Sequence, residues 1–135
     1  MALVQELLAS LPSREPMRLI HGDLHGWNVK INRGAIAVFD FEDLVWGWPV
    51  QDIGIALYYH WDRADFDRKL LEFRSGYEAI SPWPDSGGDV FTCIIARTLL
   101  LANDVIIQPE WRTLAPEIYE RGERRIRRML ERIES

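Results

Sequence analysis

The feature that most constrains this chain is a polar loop set between apolar runs, within the stretch Met17 to Asp52 (MRLIHGDLHGWNVKINRGAIAVFDFEDLVWGWPVQD). Met17 to Ile20 reads as a short apolar strand that drops into the loop His21 to Asn28. Val29 to Ile31 and Ala35 to Phe39 follow as two β-prone runs parted by Asn32, Arg33 and Gly34, a hairpin signal. With Arg33 and Gly34 at the turn, Phe39 falls opposite Asn28 and Asp40 opposite Trp27. Facing residues have Cβ atoms only ~4.5–5.5 Å apart. The hairpin therefore carries Asp40 back beside Asn28, within reach of one shared ion.

Asn28 and Asp40 offer hard oxygen ligands from two strand ends. That suits Mg²⁺, which takes one or two protein oxygens and fills its octahedron with water and phosphate. Asp23 lies earlier on the same loop, free to face another part of the site. A carboxylate beside a magnesium–phosphate centre can accept a hydroxyl proton and aim that oxygen at phosphorus. Phosphoryl transfer tolerates a weak base, because its loose transition state asks mainly for positioning and charge neutralisation. Singly, these residues have plainer explanations. Asn28 and Asp40 could cap a hairpin, and Asp52, close after Pro49, could be an ordinary helix N-cap.

Three blocks in order change that balance: His21-Gly22-Asp23-Leu24-His25-Gly26-Trp27-Asn28, then Val38-Phe39-Asp40-Phe41-Glu42-Asp43, then Gly47-Trp48-Pro49-Val50-Gln51-Asp52. Together they resemble the aminoglycoside phosphotransferase and choline kinase-like family of small-molecule kinases. The resemblance covers residues 15–62 well, and the rest only as a helical lobe. It implies a protein-kinase-like fold, ATP or GTP as co-substrate, Mg²⁺, and a small-molecule hydroxyl as acceptor. By motif, Asp23 matches the catalytic aspartate and Asn28 and Asp40 the metal ligands. His21 matches the residue that braces the loop, and Asp52 the buried aspartate that holds the loop backbone. Gly54 stands where family members often carry Ala, which is expected to loosen the helix start, and Trp27 is bulkier than the residue usual at its place.

A metallophosphoesterase is the rival, since Gly22-Asp23-Leu24-His25-Gly26 after a strand matches its first metal motif. Two-metal sites need more ligands at later strand ends. Only His21, His25 and His60 occur, and no second Gly-Asp block with a nearby Arg-Gly follows, nor any Gly-Asn-His.

At 135 residues the chain is read as one domain with a sizeable core. Its 47% apolar and 27% charged residues fit a globular protein. A net charge of −5 and the lack of a basic, aromatic-laced stripe argue against nucleic acid. The lone cysteine, Cys93, allows no internal disulfide and fits a reducing compartment. With no signal-like segment or run suited to a bilayer, the expectation is a cytoplasmic protein without membrane partners. The resemblance also implies an N-terminal lobe with a phosphate-covering loop and a lysine. The 20 residues before His21 contain neither lysine nor glycine. The expectation is thus α+β and mostly helical: a C-terminal catalytic lobe over residues 1–135 with a small hairpin, weak or inactive by itself. The missing half would belong to a longer polypeptide, another chain or an oligomer. A degenerate lobe serving as a binding or dimerisation module is the alternative.

Helices are expected over Ala2–Leu11, ended by Pro12, then Gln51–Trp61, Arg63–Ile80, Asp89–Ile107, and from Thr113 or Pro116 to Glu134. Residues 41–49 and 81–88 read as loops. The last helix buries Ile118, Ile126, Met129, Leu130 and Ile133, while its arginines and glutamates at i,i+4 spacing form a solvated, ion-paired face. Glu42, Asp43, Trp46 and Trp48 suggest an acidic, aromatic-lined pocket for a cationic amine, although surface acids and core aromatics give the same pattern.

Overall fold

Leu3, Leu7 and Leu11 recur at helical spacing, and they fix the first helix, α1 (Ala2–Arg14), against the core through Leu7 and Leu11. The computed structural model describes residues 2–85 and 87–135, so Ser86 in the expected loop lies outside the described residues. α1 runs through Pro12 instead of ending there. Proline forfeits one bond back to Leu8, but Glu15 N–H still donates to Leu11 O at 2.9 Å, so the last turn closes.

β1 (Arg18–Ile20) leads into the polar loop, whose end coils into a 3₁₀ turn over Gly26–Asn28. β2 (Val29–Asn32) and β3 (Ala35–Val38) form the hairpin in the expected register, Val29 facing Val38 and Asn32 facing Ala35. Arg33 (φ 50°) and Gly34 (φ 84°) both take the left-handed region, which a two-residue turn between twisted strands requires. The stretch 41–49, expected as loop, contains a strand, β4 (Val45–Gly47), antiparallel to β1 with Leu19 facing Trp46. Three residues carry too little periodicity to mark a strand whose partner lies 27 positions away (Leu19 to Trp46).

α2 (Pro49–Tyr58) starts with proline at its first turn, and Gln51 Oε1 accepts from Trp48 N–H at 2.8 Å. It ends before the expected Trp61, because His60 N–H turns back to Leu57 O at 2.9 Å and tightens the exit. Trp61 is nonetheless buried. α3 (Phe66–Glu78) likewise begins later than expected, its start anchored by the buried Phe66. α4 (Asp89–Ile107) has the expected limits, and a 3₁₀ segment over Pro109–Leu114 precedes α5 (Ala115–Glu134).

α4 is the axis of the core and packs against α1, α2 and α5. Leu11, Val50, Ile94 and Met129 are fully buried around it, each worth ~1.5–3 kcal/mol of transfer free energy. By length and composition α4 could cross a membrane; in this fold its neighbours are three other helices. Gly54 lets α2 approach it closely: a Cβ there would stand 2.5 Å from Cys93 Cβ. The glycine thus seats the helix pair. Of the expected α5 stripe only Met129 is buried; Leu130 is exposed, while Gly122 and Arg125 turn inward. The architecture is mostly helical α+β with two small antiparallel sheets.

Candidate active site

The loop after β1 is tied down by one carboxylate. Asp52, in the first turn of α2, accepts from the backbone N–H of His21 at 2.7 Å and of Gly22 at 2.9 Å. Its side chain therefore reaches across to the loop, and the N-cap position belongs to Trp48. Gly22 has φ 80°, and a Cβ on it would lie 2.3 Å from Asp43 O, so only glycine fits this crossing. His21 is buried, with Nε2 3.0 Å from Phe39 O and Nδ1 3.3 Å from Asp23 N–H. Those partners assign the proton to Nε2, so the ring joins the loop to the end of the hairpin.

Held in this way, the loop turns Asp23 toward Asn28. The buried Asn28 donates through Nδ2 to Asp23 O at 3.1 Å and approaches Asp23 Oδ2 at 3.4 Å. Asn28 Oδ1 is the atom it can offer to a cation. Phe39 N–H donates to Asn28 O at 3.1 Å, which places Asp40 one residue beyond that rung, exposed and at φ 66°. A left-handed aspartate at a strand end is uncommon. Among the described residues no group of three or more His, Cys, Asp or Glu converges. Asn28 and Asp40 would offer two hard oxygens, the kind of donor set that Mg²⁺ completes with water and phosphate.

Asp23 has further partners that the sequence left unassigned. Arg97 Nη2 forms a short ion pair with Asp23 Oδ1, and His25 Nε2 lies 3.1 Å from Asp23 Oδ2. Arg97 is the only charged residue of α4 between Asp89 and Asp104. A lone guanidinium in an apolar helix needs an acceptor, and that was the available signal. His25 belongs to an aromatic cluster with ring centroids 5.3 Å from Trp27 and 5.4 Å from Tyr59, which lie 5.0 Å from each other.

Glu42, Asp43 and Trp46 are exposed, while Trp48 is half-buried and donates through Nε1 to Glu15 O at 3.0 Å. On α5, Arg124 and Arg127 pair with Glu120 and Glu123 in water as expected, but Arg125 is buried against Tyr58.

An aspartate-braced loop, a polar turn and a hairpin followed by a second aspartate sit in a mostly helical α+β chain of kinase-like fold. Over residues 1–85 the chain matches the Phosphotransferase enzyme family, and it belongs to that family. It is 35% identical over 85 residues to amicoumacin kinase of Bacillus subtilis (strain 168), covering 56% of this chain and 25% of that protein. Its fold is similar to a thermostable mutant of aminoglycoside phosphotransferase APH(4)-Ia, solved as a ternary complex with AMP-PNP and hygromycin B. There the TM-score is 0.60 at 18% identity, over 94% of this chain and 43% of that one. The chain thus spans a quarter of the curated relative's length and less than half of the solved one's.

Proposed function

We propose that this chain is the C-terminal catalytic lobe of a phosphotransferase that moves the γ-phosphoryl group of ATP or GTP to a hydroxyl of a small molecule. The observation that carries the reading is the pair of hydrogen bonds that Asp52 accepts from the loop backbone. It supports a loop that carries Asp23 and Asn28 on one turn, and the Phe39–Asn28 backbone bond, one residue before Asp40, supports reading Asp40 as their neighbour. The relatives are longer than this chain. Accordingly, a nucleotide-covering lobe from additional polypeptide, in the same chain or in trans, completes the activity, and the lobe alone turns over weakly.

In the proposed reaction Asp23 accepts the acceptor's hydroxyl proton and orients its oxygen. That oxygen bonds to the γ-phosphorus as the bond to the β–γ bridging oxygen breaks and the nucleoside diphosphate leaves. Asn28 and Asp40 would hold Mg²⁺, which when bound neutralises charge on the phosphates. His21 and Asp52 keep the loop in place, and His25 and Arg97 hold the Asp23 carboxylate before the acceptor arrives. The lone buried cysteine suits a cytoplasmic setting.

Paramagnetic Mn²⁺ tests the metal assignment in this chain. With ATP present, NMR broadening is expected to centre on Asn28 and Asp40, and Asp40→Ala is expected to abolish it. Broadening centred elsewhere, or unchanged in the variant, would sink the assignment. A non-catalytic binding or dimerisation module is the second reading. Its support is the exposed apolar surface around the hairpin, where Trp27, Ile31 and Ile36 are 69–74% exposed.

A further inference from the structure

The cavity between α2, α4 and α5 holds a cation that forms no ion pair among the described residues. Arg125 is 5% exposed, although it sits in a helix whose neighbouring arginines face water. Its guanidinium carbon lies 3.8 Å from the ring centroid of Tyr58 and 5.2 Å from that of Trp61. Its Nη1 is 3.5 Å from Thr98 Oγ1, at the limit of a hydrogen bond, and its buried Nε has no hydrogen-bond partner. Among the described residues no carboxylate forms an ion pair with it. Asp62, whose charge reaches it, is bridged to Arg121 at 3.2 Å. Burial pushes the Arg125 pKa down from its ordinary value, with Tyr58 acting in the opposite sense. Aromatic faces return part of the cost of burying a guanidinium; an anion would return far more.

The space beside Arg125 is shaped to admit one. It measures about 290 Å³, at the small end for ligand sites. Tyr58, Tyr59 and Trp111 give it aromatic walls, Arg121 and Arg125 line it, and no acid does. Tyr59 is also the wall it shares with the catalytic loop, through its contacts with His25 and Trp27.

We propose that this cavity binds the anionic end of the acceptor: a small, planar or aromatic hydroxy acid whose carboxylate meets Arg125 and Arg121 and whose hydroxyl points past Tyr59 toward Asp23. The acceptor role rests on the kinase reading of Asp23, whereas the anion site stands on its own geometry. It reverses the charge preference expected from Glu42 and Asp43.

The test is an NMR titration of the 135-residue chain with three probes on one ring: para-hydroxyphenylacetate, its amide, and tyramine. The carboxylate is expected to bind about tenfold tighter than the amide, with tyramine weakest, and to shift the Tyr59, Arg121 and Arg125 signals. Arg125→Met keeps the stacking volume and is expected to erase the preference for the acid. Should that variant fail to fold, Arg121→Ala on the exposed rim is expected to weaken the carboxylate several-fold and leave the amide unchanged. The proposal is overturned if the carboxylate does not bind, if the amide or tyramine binds as tightly, or if neither variant changes the preference. Mn²⁺ broadening at Asn28 and Asp40 reports the kinase reading separately. Its loss with the acid preference intact sinks that reading alone, and the converse sinks only the anion site.

Discussion

Gly54 shows how a single atom sets the distance between two helices. By the habits of its family Ala would serve there, yet a Cβ would meet Cys93 Cβ at 2.5 Å and the Cys93 backbone carbon at 3.2 Å. Backbone atoms cannot step aside cheaply. Gly54→Ala is therefore expected to destabilise the protein by about 1–3 kcal/mol, the usual cost of overpacking, despite the higher helix propensity of alanine. Urea unfolding measures this, and a variant as stable as the parent would contradict the close approach. Asp52, by contrast, was legible as the loop's anchor through motif resemblance, and its two bonds to His21 and Gly22 have that form. Arg97 was not read as a partner of anything, and Arg125 was read with the other arginines of α5 as part of a solvated, ion-paired face. Their roles depend on which helix face meets which neighbour, and a run of arginines and glutamates such as Glu120 to Arg128 does not disclose that by itself. The long side chain of arginine further obscures it, since its stem is at home in either setting.

Among the elements, the hairpin was the most legible because its turn chemistry is local: Asn32, Arg33 and Gly34 dictate the geometry and so the register. β4 was hidden because its pairing with β1 is long-range and only three residues deep. The same hairpin is also the least anchored element. None of its residues from Lys30 to Val38 is even half-buried, and its bonds run only between its own two strands. Isolated two-stranded ribbons are marginal in water. Amide hydrogen exchange is expected to show β2 and β3 opening first, with α4 the last to exchange. Hairpin amides protected as strongly as those of Ile94 and Ile95 would contradict this.

At the scale of the whole molecule, stability should have limits at both ends of the pH range. His60 titrates below its ordinary value of 6.5, chiefly through burial and then through Lys69 and Arg63. The unfolded chain therefore binds the extra proton first, and stability falls as pH drops from about 6.5 toward the lower native value. Cys93 is pushed up to about 12 by burial, so stability falls as pH rises from about 9 toward that value, where only the unfolded thiol ionises. Urea midpoints across pH should flatten on the acid side in His60→Gln and on the alkaline side in Cys93→Ala. Limbs unchanged by these substitutions would contradict the two assignments. A different consequence follows from the exposed ribbon that ends at Asp40. Under the proposed metal role its fraying would compete with ion binding, because the carboxylate must be ordered before it could serve as a ligand. Anything that settles over Trp27, Ile31 and Ile36 would pay that ordering in advance, so grip on the ion becomes a gauge of whether the lobe is roofed.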